Sequence, residues 1–289
     1  MEDIPLELTY TWREARTRGV TRRQIQQDGL PVAHGLFISR AIPATLEARC
    51  HAWAKLLPAD AAFGLETAGT LLSAPLEAPS AVQAVLGPRR VLPQRAGLAV
   101  HVRQLGTDDV ISHRGLRLTS PAQVFLDLAA RHPEAELVAI GDALMRAGHL
   151  LPADLEERLL RAAGIRGVAR ARACAGLLDP RAASRPESLL RYWLIADGLP
   201  APEVQIPIFD RWGRKVAHAD LGYSEWKIAL EYEGRQHAER VQFGRDVDRH
   251  SLMAADGWLV LRFAGRHLSG PTAVVHRTRR ALMSRGWSG

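Results

Sequence analysis

Apolar and polar positions alternate most cleanly in two short runs near the C-terminal end. Val216-Ala217-His218-Ala219-Asp220-Leu221 is followed, after Gly222-Tyr223-Ser224-Glu225, by Trp226-Lys227-Ile228-Ala229-Leu230-Glu231-Tyr232-Glu233. Side chains alternate faces along a strand, so the pattern predicts a β-hairpin turning at residues 222–225. His218 and Asp220 share one face of the first strand. Ala229, Glu231 and Glu233 share one face of the second. Asp220 and Glu231 are therefore expected side by side on adjacent strands.

The first half mixes both periods. Between residues 11 and 27 arginines alternate with small residues, and Thr21 caps a helix start that Gly29 stops. Residues 31–39 read as strand, which gives a short helix pair followed by a hairpin. Residues 44–57 and 63–72 read as helices, and 81–86 and 98–105 as valine-rich strands. Ser120-Pro121 opens a helix, and another runs over 136–146. Residues 148–186 are rich in Ala, Arg and Gly and broken by prolines. Helical pieces at 154–162 and 169–178 fit a connector, with the boundary at 180–186. No fixed-period repeat is present.

Composition narrows the classes. The chain has 289 residues, 47% hydrophobic and 24% charged, enough for two or three domains with real cores. Its 38 Lys+Arg exceed 31 Asp+Glu, for a net charge of +7. From Arg181 onward there are 17 basic and 12 acidic residues, and after Asp256 six arginines and no acid. Arg277, Arg279, Arg280 and Arg285 fall on one expected helix, a pattern suited to phosphate contact or to a solvated helix face. No apolar run approaches the roughly 20 residues of a membrane span. Cys50 and Cys174 lack zinc or disulfide spacing. The acidic start Met1-Glu2-Asp3-Ile4 does not resemble a secretion signal, so a reducing cytoplasm is the expected compartment.

The acids carry the candidate chemistry. Carboxylates held together repel unless a cation sits between them, and hard oxygen ligands suit Mg²⁺ or Mn²⁺. Such an ion lowers the pKa of a bound water and supplies a nucleophile. The alternative is an edge hairpin with solvated acids. Glu187 opens a helix with Ser184 as cap and Pro186 in the first turn. It could reach a metal through water or interact with the helix dipole. Glu233 could serve as an outer ligand or lie exposed. His237 could position a phosphate or be an ordinary loop histidine. Asp246 and Arg249, one helical turn apart, suit an internal ion pair first and phosphate contact second.

Glu187, Asp220, Glu231-Tyr232-Glu233-Gly234, His237, Asp246-Val247-Asp248-Arg249 and Gly257-Trp258-Leu259-Val260-Leu261-Arg262 stand in an order that resembles the PD-(D/E)XK nuclease fold. The nearest branch is the one related to very-short-patch-repair (Vsr-like) endonucleases. The resemblance implies a catalytic set of Glu187, Asp220, Glu231, Glu233 and His237, with Asp220 and Glu231 as ligands for Mg or Mn. Glu233 stands where the motif has its lysine.

A second resemblance lies upstream. Gly35-Leu36-Phe37-Ile38-Ser39, Leu65-Glu66-Thr67-Ala68-Gly69-Thr70-Leu71-Leu72 and Leu118-Thr119-Ser120-Pro121-Ala122-Gln123-Val124-Phe125-Leu126-Asp127-Leu128-Ala129 resemble AbiEi-type antitoxins over roughly residues 10–150. Those are DNA-binding repressors of abortive-infection toxin–antitoxin systems, so the resemblance implies DNA and a toxin as partners. Gln123 stands where that family usually has arginine, and Asp127 reads as a packing or capping residue.

The expected fold is thus α/β and α+β. It comprises a winged-helix-like segment (1–42), a small α/β domain (43–150), a helical connector (151–180) and a restriction-endonuclease-like mixed sheet flanked by helices (181–289). The expected function is a DNA-directed, divalent-metal-dependent endonuclease hydrolysing phosphodiester bonds. The alternative is a non-enzymatic DNA-binding regulator of AbiEi type whose nuclease domain is degenerate. Arg22, Arg23, Arg235, Arg249, Arg262, Arg277 and Arg280 are the expected nucleic-acid contacts. Oligomeric state is left open by the sequence.

Overall fold

The structure is a computed structural model and describes residues 7–89, 91–209, 212–233 and 251–289. The chain begins with β1 (Thr9–Thr11), α1 (Trp12–Thr17), α2 (Arg22–Asp28), β2 (Gly29–Ala33) and β3 (Leu36–Ser39). There follow α3 (Leu46–Ala54), β4 (Ala62–Phe63), α4 (Leu65–Leu71), β5 (Val82–Leu86), β6 (Leu98–Val102), β7 (Val110–His113) and β8 (Leu116–Thr119). Five helices come next: α5 (Pro121–Ala129), α6 (Glu134–Arg146), α7 (Pro152–Leu160), α8 (Val168–Ala175) and α9 (Arg185–Ala196). Strands β9 (Glu203–Phe209), β10 (Lys215–Tyr223), β11 (Ile228–Glu233) and β12 (Leu259–Ala264) precede the final described helix, α10 (Thr272–Ser284). The chain is a mixed α+β protein, with three sheets among the described residues.

Two compact units share these elements, and the chain crosses between them more than once. One holds residues 1–131 and 150–168, the other residues 132–149 and 169–289. The sequence reading instead draws its boundaries at 42, 150 and 180. Helix α6 therefore belongs with the C-terminal sheet, and α7 with the N-terminal unit.

In the first unit β1, β3 and β2 form a small antiparallel sheet in that order. Both short helices are closed by capping boxes, Thr11 with Glu14 and Thr21 with Gln24, which satisfy amides a first turn leaves open. Gly29 ends α2 where no side chain fits: an added Cβ would lie 2.7 Å from the Tyr10 hydroxyl and 2.8 Å from the Ile25 carbonyl. Asp28 ties the helix to the sheet, accepting from the Tyr10 and Ser39 hydroxyls at 2.8 Å each. The larger sheet runs β6-β5-β4-β8-β7. Helix α5 is buried along its whole length, so its two polar residues need partners. Gln123 accepts from Arg158 of α7 at 2.8 Å, and Asp127 from Arg103 at 3.2 Å. Arg158 also pairs with buried Asp109 at 3.1 Å.

In the second unit the sheet runs β12-β11-β10-β9. Strands β9, β10 and β11 are antiparallel neighbours, and β12 lies parallel to β11. Leu190 and Leu194 of α9 and Val274 and Leu282 of α10 join Leu221, Leu230 and Phe263 in one core cluster. Helix α9 is bound to α6 by Arg191, whose guanidinium meets Asp142 at 2.9 Å and the Leu177 carbonyl at 2.5 Å. Both charged side chains are almost fully buried. The other Asp142 oxygen accepts from the Asp179 amide at 2.7 Å. Burial drives the Asp142 pKa up, and Arg191 opposes that shift.

Several elements differ from expectation. Residues 63–72 begin as strand β4 before turning into α4, and residues 29–39 form two strands rather than one. The expected 222–225 turn starts later, because Gly222 and Tyr223 still pair with Ala229 and Ile228.

Truncating one partner of a buried ion pair leaves the other charge stranded, at about 3–5 kcal/mol. Asp142→Ala is expected to lose stability of that order in urea unfolding. The double replacement Asp142→Leu/Arg191→Met should recover most of it. A single variant within 1 kcal/mol of wild type by the same measurement would show the pair to be dispensable.

Candidate functional site

The α1–α2 pair presents a cationic surface. Ile25 and Ala15 point inward, fully buried, while Arg22, Arg23, Gln26 and Gln27 are exposed on α2 and Arg13 and Arg16 on α1. Between Glu7 and Arg40 the sequence has six arginines against three acids. The acids are engaged elsewhere: Asp28 with Tyr10 and Ser39, Glu7 with Arg18 and Lys55, Glu14 with Lys55 and the Thr11 amide. Among the described residues Arg13, Arg16, Arg22 and Arg23 form no ion pair, so their charge faces solvent. Gly35, at φ +72°, turns the β2–β3 hairpin beside this surface.

The acidic residues of the second unit form a different arrangement. The Glu187 carboxylate sits at the start of α9, 5% exposed, and accepts three hydrogen bonds. The donors are the Ala183 amide at 2.9 Å, the Ser184 hydroxyl at 2.7 Å and the Gln205 side-chain amide at 2.9 Å. Burial is the largest influence on its pKa, which stands above the ordinary carboxylate value. The donors oppose the shift, and the negative charge of Asp220 adds to it. Glu187 and Asp220 are thus brought within electrostatic reach. The pairs Ala219–Ile206 and Leu221–Val204 bracket Asp220 opposite Gln205. Gln205 takes φ +58°, a conformation costing a non-glycine residue about 1–3 kcal/mol.

Asp220 also bonds to the neighbouring strand through its side chain. Among the described residues the β10–β11 register runs to Leu221–Leu230, and beyond it the Asp220 carboxylate accepts from the Tyr232 amide at 2.9 Å. Glu231 is 5% exposed, next to Arg262 in the parallel β11–β12 register. Glu233 forms an ion pair with Arg262, so this acid is matched to a cation from β12. Among the described residues no three His, Cys, Asp or Glu side chains are grouped to hold a metal ion. His237, Arg235, Asp246 and Arg249 lie outside the described residues. Arg277 and Arg280 are exposed on α10 and unpaired among the described residues, whereas Arg279 pairs with Asp197. Sequence reasoning missed Gln205. Its signal is faint: a polar residue in an otherwise apolar strand.

Comparison with known proteins bears on the central part of the chain. Residues 48–179 match the AbiEi antitoxin C-terminal domain. The match begins after the helix–hairpin segment and runs on through α7 and α8, which the sequence reading assigns to a connector. The chain is 29% identical over 212 residues, 73% of either protein, to "Uncharacterized protein Rv2248" of Mycobacterium tuberculosis strain H37Rv. The same values hold for "Uncharacterized protein MT2308" of strain CDC 1551 / Oshkosh. A solved structure, that of the RV2827C protein from Mycobacterium tuberculosis, aligns over 63% of this chain and 75% of its own, at 18% identity and a TM-score of 0.44. Among the described residues no helix is long and apolar enough to cross a membrane.

Because the Asp220 charge raises the Glu187 pKa, Asp220→Asn is expected to lower it. Carboxyl ¹³C titration by NMR would read the shift. A raised folded-state pKa contributes stability that is complete below the unfolded value and lost as pH rises through the folded one. The substitution should therefore move that loss to lower pH. An unmoved Glu187 midpoint would show the two acids to be uncoupled.

Proposed function

We propose that this protein is a DNA-binding regulator of the AbiEi antitoxin type, with a toxin as its protein partner. In this reading α1, α2 and the β2–β3 hairpin act as a winged helix, and α2 enters the major groove. The observation that carries it is the set of four arginines on the outward faces of α1 and α2 that form no ion pair among the described residues. A cation already matched to an acid gains little from phosphate, whereas an unmatched one releases counterions on binding. The antitoxin-domain match supports the same reading. Arg277 and Arg280 are the corresponding candidates in the second unit.

Arg22→Gln/Arg23→Gln should weaken duplex DNA binding at least tenfold near physiological salt. It should also reduce the slope of log K against log salt by about two, one per lost phosphate contact. Fluorescence anisotropy over a salt series measures both. Equal affinities and slopes in the variant and the wild type would remove α2 from the interface.

A second reading, a Mg- or Mn-dependent endonuclease, is favoured by one observation: Glu187 and Asp220 are electrostatically coupled beside the Leu221–Leu230 pair of β10 and β11. Three antiparallel strands, a parallel fourth and an acid at the start of α9 suit the PD-(D/E)XK arrangement. In it Asp220 and Glu231 would hold the metal, Glu187 and Glu233 would assist, and His237 would position the phosphate. The metal would lower the pKa of the attacking water. Purified protein should then nick DNA with Mn²⁺ or Mg²⁺, and Asp220→Ala should abolish nicking on gel assay. Intact DNA with both metals, or nicking that survives Asp220→Ala, would reject these roles.

A further inference from the structure

A groove of about 880 Å³ opens beside α2, between the start of α1, the β2–β3 hairpin and the end of α3. Its walls are unusual for a surface that only tracks a phosphate backbone. Trp12, Phe37 and Leu56 give it an apolar lining, and Arg13, Arg22 and Arg95 bring cationic groups to the same space. Trp12 is 37% exposed and Leu56 36%, so both present apolar surface to solvent. The acid among the lining residues, Glu14, already accepts from Lys55 at 3.1 Å and from the Thr11 amide at 2.7 Å. Arg13 and Arg22 form no ion pair among the described residues, and Arg95 donates to the His34 carbonyl at 3.3 Å.

We infer that this groove binds a small planar aromatic anion and that the ligand competes with DNA for Arg22. The volume lies in the range of small-molecule pockets, about 300–1,000 Å³. Aromatic walls suit a flat ring, which also stacks on a guanidinium plane. Unmatched arginines suit a carboxylate or sulfonate on that ring. The coupling follows from position. Arg22 belongs both to the exposed face of α2 and to the groove lining, so an anion engaging it withdraws one positive charge from the DNA face. Linkage makes the effect reciprocal: DNA must weaken the ligand by the same factor. The competition rests on the proposed DNA-binding role of α2, while occupation of the groove does not.

The test uses the full-length protein, 1-naphthoate as probe and 1-naphthalenemethanol as its uncharged counterpart. Calorimetry should show naphthoate binding at least tenfold tighter than the alcohol, and Arg95→Gln should weaken it severalfold. Saturating naphthoate should lower duplex DNA affinity of the wild type severalfold and have a smaller effect at equal concentration on Arg95→Gln. No naphthoate binding at millimolar concentration, or binding untouched by Arg95→Gln and Arg13→Gln, would overturn the site. Binding in the groove that leaves DNA affinity unchanged would overturn the competition. Binding in the groove by a protein that fails to bind DNA would support the site and reject the DNA-binding reading.

Discussion

A charge removed from water must find an opposite charge, and that constraint decides how this chain divides. Arg158 on α7 pairs with buried Asp109 and donates to Gln123 of the fully buried helix α5. Arg191 on α9 pairs with Asp142 on α6. The first contact places α7 in the N-terminal unit. The second places α6 with the C-terminal sheet, although α6 precedes α7 in sequence. Neither pair need add much net stability, since desolvation consumes most of the attraction. Each instead penalises alternative packings that would strand a guanidinium or a carboxylate in an apolar interior. The interleaving of the two units therefore follows from placement of charge as much as from hydrophobic burial.

The same criterion separates structural arginines from those available to a partner. Arg103, Arg158, Arg185 and Arg191 each meet an acid within their own unit. Among the described residues Arg13, Arg16, Arg22 and Arg23 do not. Around them, Glu7, Glu14 and Asp28 are bound to Lys55, Arg18, Tyr10 and Ser39. Local acids are thus diverted from the helix pair, and its positive field survives. Total charge says little about this, because +7 is spread over 289 residues. What concentrates the field is which cations have already been matched.

Elements with a strong period or a side-chain cap were legible in the sequence. Helices α2, α5 and α9 start at Thr21, Ser120 and Ser184, where the caps predict. The β7–β8 hairpin was not legible. It turns through Arg114 and Gly115, both at positive φ, and arginine there is not a usual turn signal. Strand β9 was missed as well. It carries Pro207, which argues against a central strand, and among the described residues β9 is the sheet edge, where proline is tolerated. Gln123 shows a different limit. Its position resembles one where AbiEi-type proteins have arginine, and the structure brings the guanidinium of Arg158 to it from 35 residues away. No local pattern reveals that contact.

The acids of the second unit were legible as residue types but not as a site. Alternation sets Asp220 and Glu231 on neighbouring strands, yet it cannot foresee that Asp220 takes the Tyr232 amide. Nor does it foresee that three donors, one of them from strained Gln205, close around Glu187. These contacts alter the argument about function. The paired acids Glu187 and Asp220 repel phosphate, so DNA can meet them only once their charge has been neutralised. The α1–α2 surface needs no such step. On the regulator reading, DNA affinity from that surface persists without divalent metal, whereas on the nuclease reading any contribution from the acids depends on it. The two functional readings are thus physically separable, because they assign opposite electrostatics to opposite ends of the chain.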